Sequence, residues 1–227
     1  MDATVTGRGA AAVTIRLVRT EIDHLVVACA DLDQGEAWLR AKLGVDPQPG
    51  GKHLTMGTHN RLLRLGQRIF LELIAIDPDG ETPARPRWFD LDRHDVRARA
   101  AESPFLITWV ARCDDILDAI TRVPALGEAV AFTRNQFSWR FALRDDGALN
   151  FGGVLPPVIQ WDGDAHPADG LEDRGCALTA LELSHPAASS VVPLFRELRV
   201  TGPVELKAGP RALVARIDTP GGAVALR

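Results

Sequence analysis

The alternation of apolar and polar positions is clearest in two short runs. Glu21–Cys29, EIDHLVVAC, is rich in β-branched and apolar residues, is one strand long and is bounded by polar residues, which predicts a β-strand. A lone histidine, His24, sits in its middle. Arg68–Asp77, RIFLELIAID, predicts a second strand, apolar except for one carboxylate, Glu72. Between them Asp31 or Asp33 caps a helix running to about Leu43, with Ala37, Trp38 and Ala41 near helical spacing and Gly44 closing it. Pro47, Pro49, Gly50 and Gly51 mark a turn or short edge strand, and Lys52–Leu65 fits two strands joined near Gly57 and Thr58. The first unit therefore reads β-α-β-β-β. Asp77-Pro78-Asp79-Gly80 ends it with strong turn chemistry. Residues 78–87 form a Pro-rich connector, and Trp88–Ala101 reads as a helix.

The pattern then starts again. PFLITWVARCDDILDAI sets against EIDHLVVACADLDQGEAW, with Cys113 on Cys29, an offset of 84 (113 − 29), and Thr108 on His24. A helix to about Val123 follows, then strands in GEAVAFTRNQ and FSWRFALRD, and a last strand within Leu155–Trp161. If Ile159-Gln160-Trp161 overlays Leu71-Glu72-Leu73, Gln160 takes the place of Glu72. A third, shorter copy is expected from LTALELSHP, AASSVVPLFREL, VELKAGP, RALVARIDTP and GAVALR. The expected division is an extension at 1–20, modules at 21–103 and 104–175, and a third short unit at 176–227. Val13–Val18 is expected to add an edge strand.

Composition narrows the function classes. The chain is 46% hydrophobic and 25% charged with net charge −4, ordinary values for a globular protein with a sizeable core. No basic run with interleaved aromatics points to nucleic acid, and no apolar run reaches the roughly 18 residues of a membrane span. The first 20 residues lack the apolar core of a signal peptide. Three cysteines, Cys29, Cys113 and Cys176, are odd in number with no CxxC, which reads as reduced core thiols in a cytoplasmic protein. The expected partner is a small molecule, with a homodimer possible.

The candidate chemistry lies in the two strands. A carboxylate in a buried strand costs several kcal/mol unless it is paired, protonated or metal-bound, so Glu72 needs a partner. His24 reads either as a satisfied core histidine or as a ligand. His53, His59 and Asn60 lie near the Gly57 turn. Trp109, Phe137, Trp139, Phe141 and Trp161 cluster in the second unit, as core or as the wall of an apolar cavity. No GxSxG, P-loop or dinucleotide-binding fingerprint occurs.

IDHLVVACADL, GGKHLTMGTHNRLLRLG, FLELIAIDP, RWFDLD and PVIQW followed by His166-Pro167 together resemble the vicinal oxygen chelate superfamily, and within it glyoxalase-like domain proteins. The resemblance implies an α+β fold in which tandem βαβββ modules form curled mixed sheets around a cavity, with a third partial module at the C-terminus. In metal-dependent members the ligands lie on the first and last strands of the modules, and a divalent metal chelates vicinal oxygens of the substrate. The resemblance implies His24, Glu72 and Gln160 as candidate ligands for Zn, Fe, Mn or Ni. Glu72 is then also the candidate catalytic acid or base, and His53, Asn60, Thr108, Trp109, Trp139 and Trp161 the candidate substrate contacts. Threonine at 108 departs from the ligand pattern. Two functions follow: a metal-dependent lyase, isomerase or dioxygenase acting on a small oxygenated molecule, or a metal-free protein of the same fold that sequesters one.

Overall fold

A computed structural model describes residues 19–227, so the strand expected at Val13–Val18 lies outside the described residues. The histidine run forms β1 (Thr20–Ala28). Asp31 caps α1 (Leu32–Leu43) by accepting the Gln34 N–H, and Gly44, at φ 73°, ends the helix with its own N–H on the Arg40 carbonyl. Then come β2 (Gln48–His53), β3 (Thr58–Gly66) and the glutamate strand β4 (Ile69–Ile76).

The helix expected from Trp88 is shorter, α2 (His94–Glu102). Ahead of it Phe89 and Asp90 take left-handed φ values of 60° and 58°, which a right-handed helix cannot contain. The turn they make lets Trp88 and Phe89 bury their rings against Phe141. Apolar burial has here overridden helical spacing.

The second half contains β5 (Phe105–Cys113), α3 (Ile116–Arg122), β6 (Glu128–Arg134), β7 (Phe137–Leu143) and β8 (Val158–Trp161). The strands run β2-β3-β4-β1-β5-β8-β7-β6 in one curled sheet. In each half the last strand returns parallel beside the first, β4 beside β1 and β8 beside β5, while β1 and β5 pair antiparallel at the joint. The two outer strands, β2 and β6, curl toward each other until Gly51 lies against the Arg134 side chain.

The sheet has two apolar faces because strand residues alternate. One face buries Leu25, Val27, Leu73, Trp109 and Ala111 under α1, α3 and a second sheet. The concave face carries Val26, Ile74, Val110, Phe141 and Ile159 and is closed by Trp88 and Phe89.

The C-terminal unit consists of β9 (Ala177–His185), α4 (Ala188–Leu198), β11 (Val204–Ala208), β12 (Ala212–Thr219) and β13 (Gly222–Leu226), with a two-residue strand that the sequence did not suggest, β10 (Val200–Thr201), between α4 and β11. Its sheet order differs from the first two units. It runs β11-β9-β12-β13, with β11 parallel to β9 directly after the α4 crossover. The reason is local: β10 stops to pair with β1, and a turn at Gly202 then feeds the chain straight back beside β9. This second sheet packs Leu181, Leu183, Leu213 and Ile217 into the core. Among the described residues no helix is long and apolar enough to cross a membrane.

Candidate functional site

The site starts from an irregularity in β1. Between Ile22 and His24 its pairing with β5 slips by one residue, leaving Asp23 as an extra residue in a bulge. Regular alternation would send Asp23 and His24 to opposite faces. The bulge lets them meet, with His24 Nδ1 2.6 Å from Asp23 Oδ1. An ionised carboxylate only accepts, so the hydrogen sits on Nδ1. Asp23 is fully buried, and its other oxygen accepts from Trp161 Nε1 at 2.9 Å and His166 Nε2 at 3.1 Å. His166 is fixed in that tautomer because its Nδ1 accepts the Ala168 N–H. Burial alone would push the Asp23 carboxyl up. The hydrogen bonds from His166 and His24 outweigh it and hold the group well below the usual carboxylate range.

Asp23 therefore aims His24. The imidazole stacks on Phe70, centroids 4.5 Å apart, and turns Nε2 toward Glu72, with 3.7 Å to Oε2. That is too far for a direct hydrogen bond. The Nε2 lone pair of His24 and the Glu72 carboxyl thus face each other across a short gap. The other Glu72 oxygen accepts from Asn60 Nδ2 at 2.5 Å. Asn60 is held in turn by the Gly51 N–H on its Oδ1 at 2.8 Å. It lies so close to Gly50 that a Cβ there would stand 2.0 Å from Oδ1. Arg134, at the end of β6, donates from Nη1 to Asn60 Oδ1 at 3.2 Å and to His53 Nε2 at 3.0 Å. His53 then carries its hydrogen on Nδ1 and donates to Thr58 Oγ1. Burial, with the Arg134 charge second, pushes the His53 pKa down to about 3, so the ring is neutral at physiological pH.

Phe70, Trp88, Phe89, Trp139, Phe141, Ile159 and Trp161 wall this cluster, leaving about 30 Å³ for water-sized molecules. A broader vestibule of about 500 Å³ opens beside it, lined by Lys52, His53, Leu54, Thr133, Arg134 and Trp139 among others. His53, Arg134 and Trp139 border both spaces.

Six of the residues singled out from the sequence, His24, His53, Asn60, Glu72, Trp139 and Trp161, come together here. Three do not. Gln160 lies on the other face of β8, where its side-chain oxygen accepts the Ile116 N–H at the start of α3. Ile159 and Trp161 face the cavity in its place, since alternation gives a strand no third choice. The Thr108 hydroxyl donates to the Gly153 carbonyl at 3.0 Å, buried away from the pocket wall, and His24 pairs across the strands with Val110. Trp109 belongs to the opposite core, its indole N–H on the Val154 carbonyl. Sequence reading missed Asp23, Phe70, Trp88, Arg134 and the role of His166.

A resident divalent metal would need more donors than this site offers. Among the described residues no group of three or more His, Cys, Asp or Glu side chains gathers to hold an ion. His24 Nε2 and Glu72 Oε2 are the two available donors. The opposing positions on β5 and β8 are Val110, Ile159 and Trp161, and the lone pair of His53 Nε2 already receives Arg134. A catalytic zinc centre keeps three protein ligands, and a non-haem Fe(II) triad two histidines and a carboxylate. This donor set fits neither.

A family model described as a glyoxalase-like domain matches residues 22–199. No curated protein matches the sequence. Among solved structures, a hypothetical protein from Staphylococcus aureus overlays with a TM-score of 0.61 at 11% identity, covering 91% of this chain and 98% of that one. A variant of 4-hydroxymandelate synthase from Streptomyces coelicolor gives 0.46 at 17% identity, covering 92% of this chain and 62% of the other. Methylmalonyl-CoA epimerase from Mycobacterium tuberculosis gives 0.40 at 17%, covering 63% and 88%.

Proposed function

Because the chain belongs to the glyoxalase-like domain family and with it to the vicinal oxygen chelate superfamily, we propose that it moves a proton on a small oxygenated substrate, as an isomerase or lyase, without a resident metal. The observation that carries this is the buried chain Asp23–His24–Glu72 at the floor of an aromatic pocket. A carboxylate that receives three N–H groups and fixes one imidazole tautomer is costly to build unless that imidazole has a task. His24 Nε2 takes a proton from a carbon beside a substrate carbonyl, and the C–H electron pair moves onto the carbonyl oxygen. The imidazolium so formed lies between two carboxylates, Asp23 and Glu72. The proton then returns to the substrate from His24, or by way of Glu72. The aromatic walls keep bulk water from quenching the carbanion. Three buried, unpaired cysteines support a reducing, cytoplasmic setting.

The test is wash-in of solvent deuterium. Small 2-hydroxy and 2-oxo compounds are incubated with the protein in D₂O and their C–H signals followed by NMR. Exchange catalysed by the native chain and abolished in both His24→Gln and Glu72→Gln is the expected result. The aromatic lining favours a second reading, sequestration of a flat molecule by stacking. Saturable binding with no exchange of any compound would establish that one instead.

A further inference from the structure

The Arg134 guanidinium is half-buried at the boundary between the inner pocket and the vestibule. Both of its hydrogen bonds among the described residues leave from Nη1 and end on neutral acceptors, His53 and Asn60. No carboxylate among the described residues makes a salt bridge with it. The opposite edge, Nε and Nη2, is the edge that takes a carboxylate side-on with two parallel bonds. Burial of this group is only partly offset by the charge of Glu72, which reaches it through Asn60 rather than by a direct salt bridge, and a ligand's anion would offset the rest.

From this we infer that Arg134 is the anchor for a carboxylate on the ligand, and that the ligand is a small acid with an apolar, flat body. This rests on the reading of the inner pocket as the substrate site, and it adds the substrate's chemical class. The neighbourhood fits a carboxylate better than a phosphate. Among the described residues lining the two spaces, Arg134 is the one cation without a carboxylate partner, because Lys52 is already paired with Asp77 at 2.7 Å. The short 3-10 turn that opens at Pro167 on the pocket wall does not supply the further N–H groups that a dianion needs, since proline has none and the Ala168 N–H is taken by His166 Nδ1. Arg134, His53 and Trp139 border both the inner pocket and the vestibule of about 500 Å³, so an acid held on Arg134 sits where the vestibule meets the His24–Glu72 pocket, with Trp139 beside it.

The experiment titrates benzoate and its neutral isostere benzamide into the full chain, followed by tryptophan fluorescence. The native protein should bind benzoate at least about tenfold more tightly than benzamide. R134Q should lose that preference while its benzamide affinity stays in place and it still unfolds cooperatively, and R134K, which keeps the charge without the fork, should retain part of it. E72Q removes the nearest negative charge and should tighten benzoate but not benzamide. Equal affinities in the native protein, a preference that survives R134Q, or no saturable response to benzoate would each overturn the assignment. Proton transfer is judged by deuterium exchange alone, so the carboxylate anchor and the catalytic reading can fail separately.

Discussion

Replacing Asp23 with Asn tests the site at its base. The carboxylate accepts three N–H groups, from His24, His166 and Trp161. An amide keeps the shape and one acceptor oxygen but loses the charge. It also turns an NH₂ toward either His24 Nδ1 or the other two donors. Hydrogen bonds to a charged group contribute about 1.5–3 kcal/mol against about 1 for neutral ones. Three weakened bonds, partly offset by relief from burying a charge, give a net loss of about 2–3 kcal/mol. For a chain of this size that is about 5–10 °C in thermal midpoint. The pH dependence has a definite sign. The folded-state pKa of Asp23 is depressed, so its stabilisation is fully present above the unfolded value of about 3.9 and is lost as pH falls through the folded one. The gap between native and Asp23→Asn proteins should therefore hold steady from about pH 5 to 8 and narrow below about pH 4. Deuterium exchange should fall by about 10²–10⁴, because His24 then places its hydrogen on Nε2 to accept from the amide. Thermal melts across pH, paired with the NMR exchange assay, measure both. Equal melting of the two proteins at pH 7, or a gap that widens in acid, would refute the three-donor account.

Further outcomes follow from other parts of the molecule. Protein purified without a histidine tag should carry well under one equivalent of divalent metal by elemental analysis and show no change in melting with EDTA; stoichiometric metal would sink the metal-independent reading. Gln160→Ala should cost about 1 kcal/mol, as the loss of a helix-start acceptor does, and leave benzoate binding unchanged, where weakened binding would return Gln160 to the pocket. Deleting residues 204–227 strips β11, β12 and β13 from the core and exposes Leu181 and Leu183, so the truncated chain should aggregate or lose cooperative unfolding; a soluble fragment with an unchanged midpoint would make this sheet an independent appendage.

His24 and Glu72 were legible because each breaks an apolar strand run. The two curled units were legible because turn residues punctuate those runs. Asp23 was not legible, since alternation assigns it to the face opposite its neighbour and only the bulge, set by pairing with β5, reverses that. Gln160 was misplaced by the same arithmetic, because a register error of one residue exchanges the two faces of a strand. Trp88 looked like the start of a helix until the φ of Phe89 and Asp90 turned it inward. Arg134 ends an edge strand, and its place beside Asn60 depends on how far the whole sheet curls, which no local pattern records.

That curl has a mechanical consequence. β2 and β6 are the two ends of the strand order and share no backbone ladder, so the pocket's mouth is a seam between halves rather than a hole in a loop. The side-chain hydrogen bonds of Arg134 to His53 and Asn60 cross it. At about 1 kcal/mol each, those stitches are weak enough for thermal motion to undo while every strand pairing stays intact. Parting that seam would break two side-chain hydrogen bonds and no backbone ladder, and the anchor inferred at Arg134 stands on the seam itself.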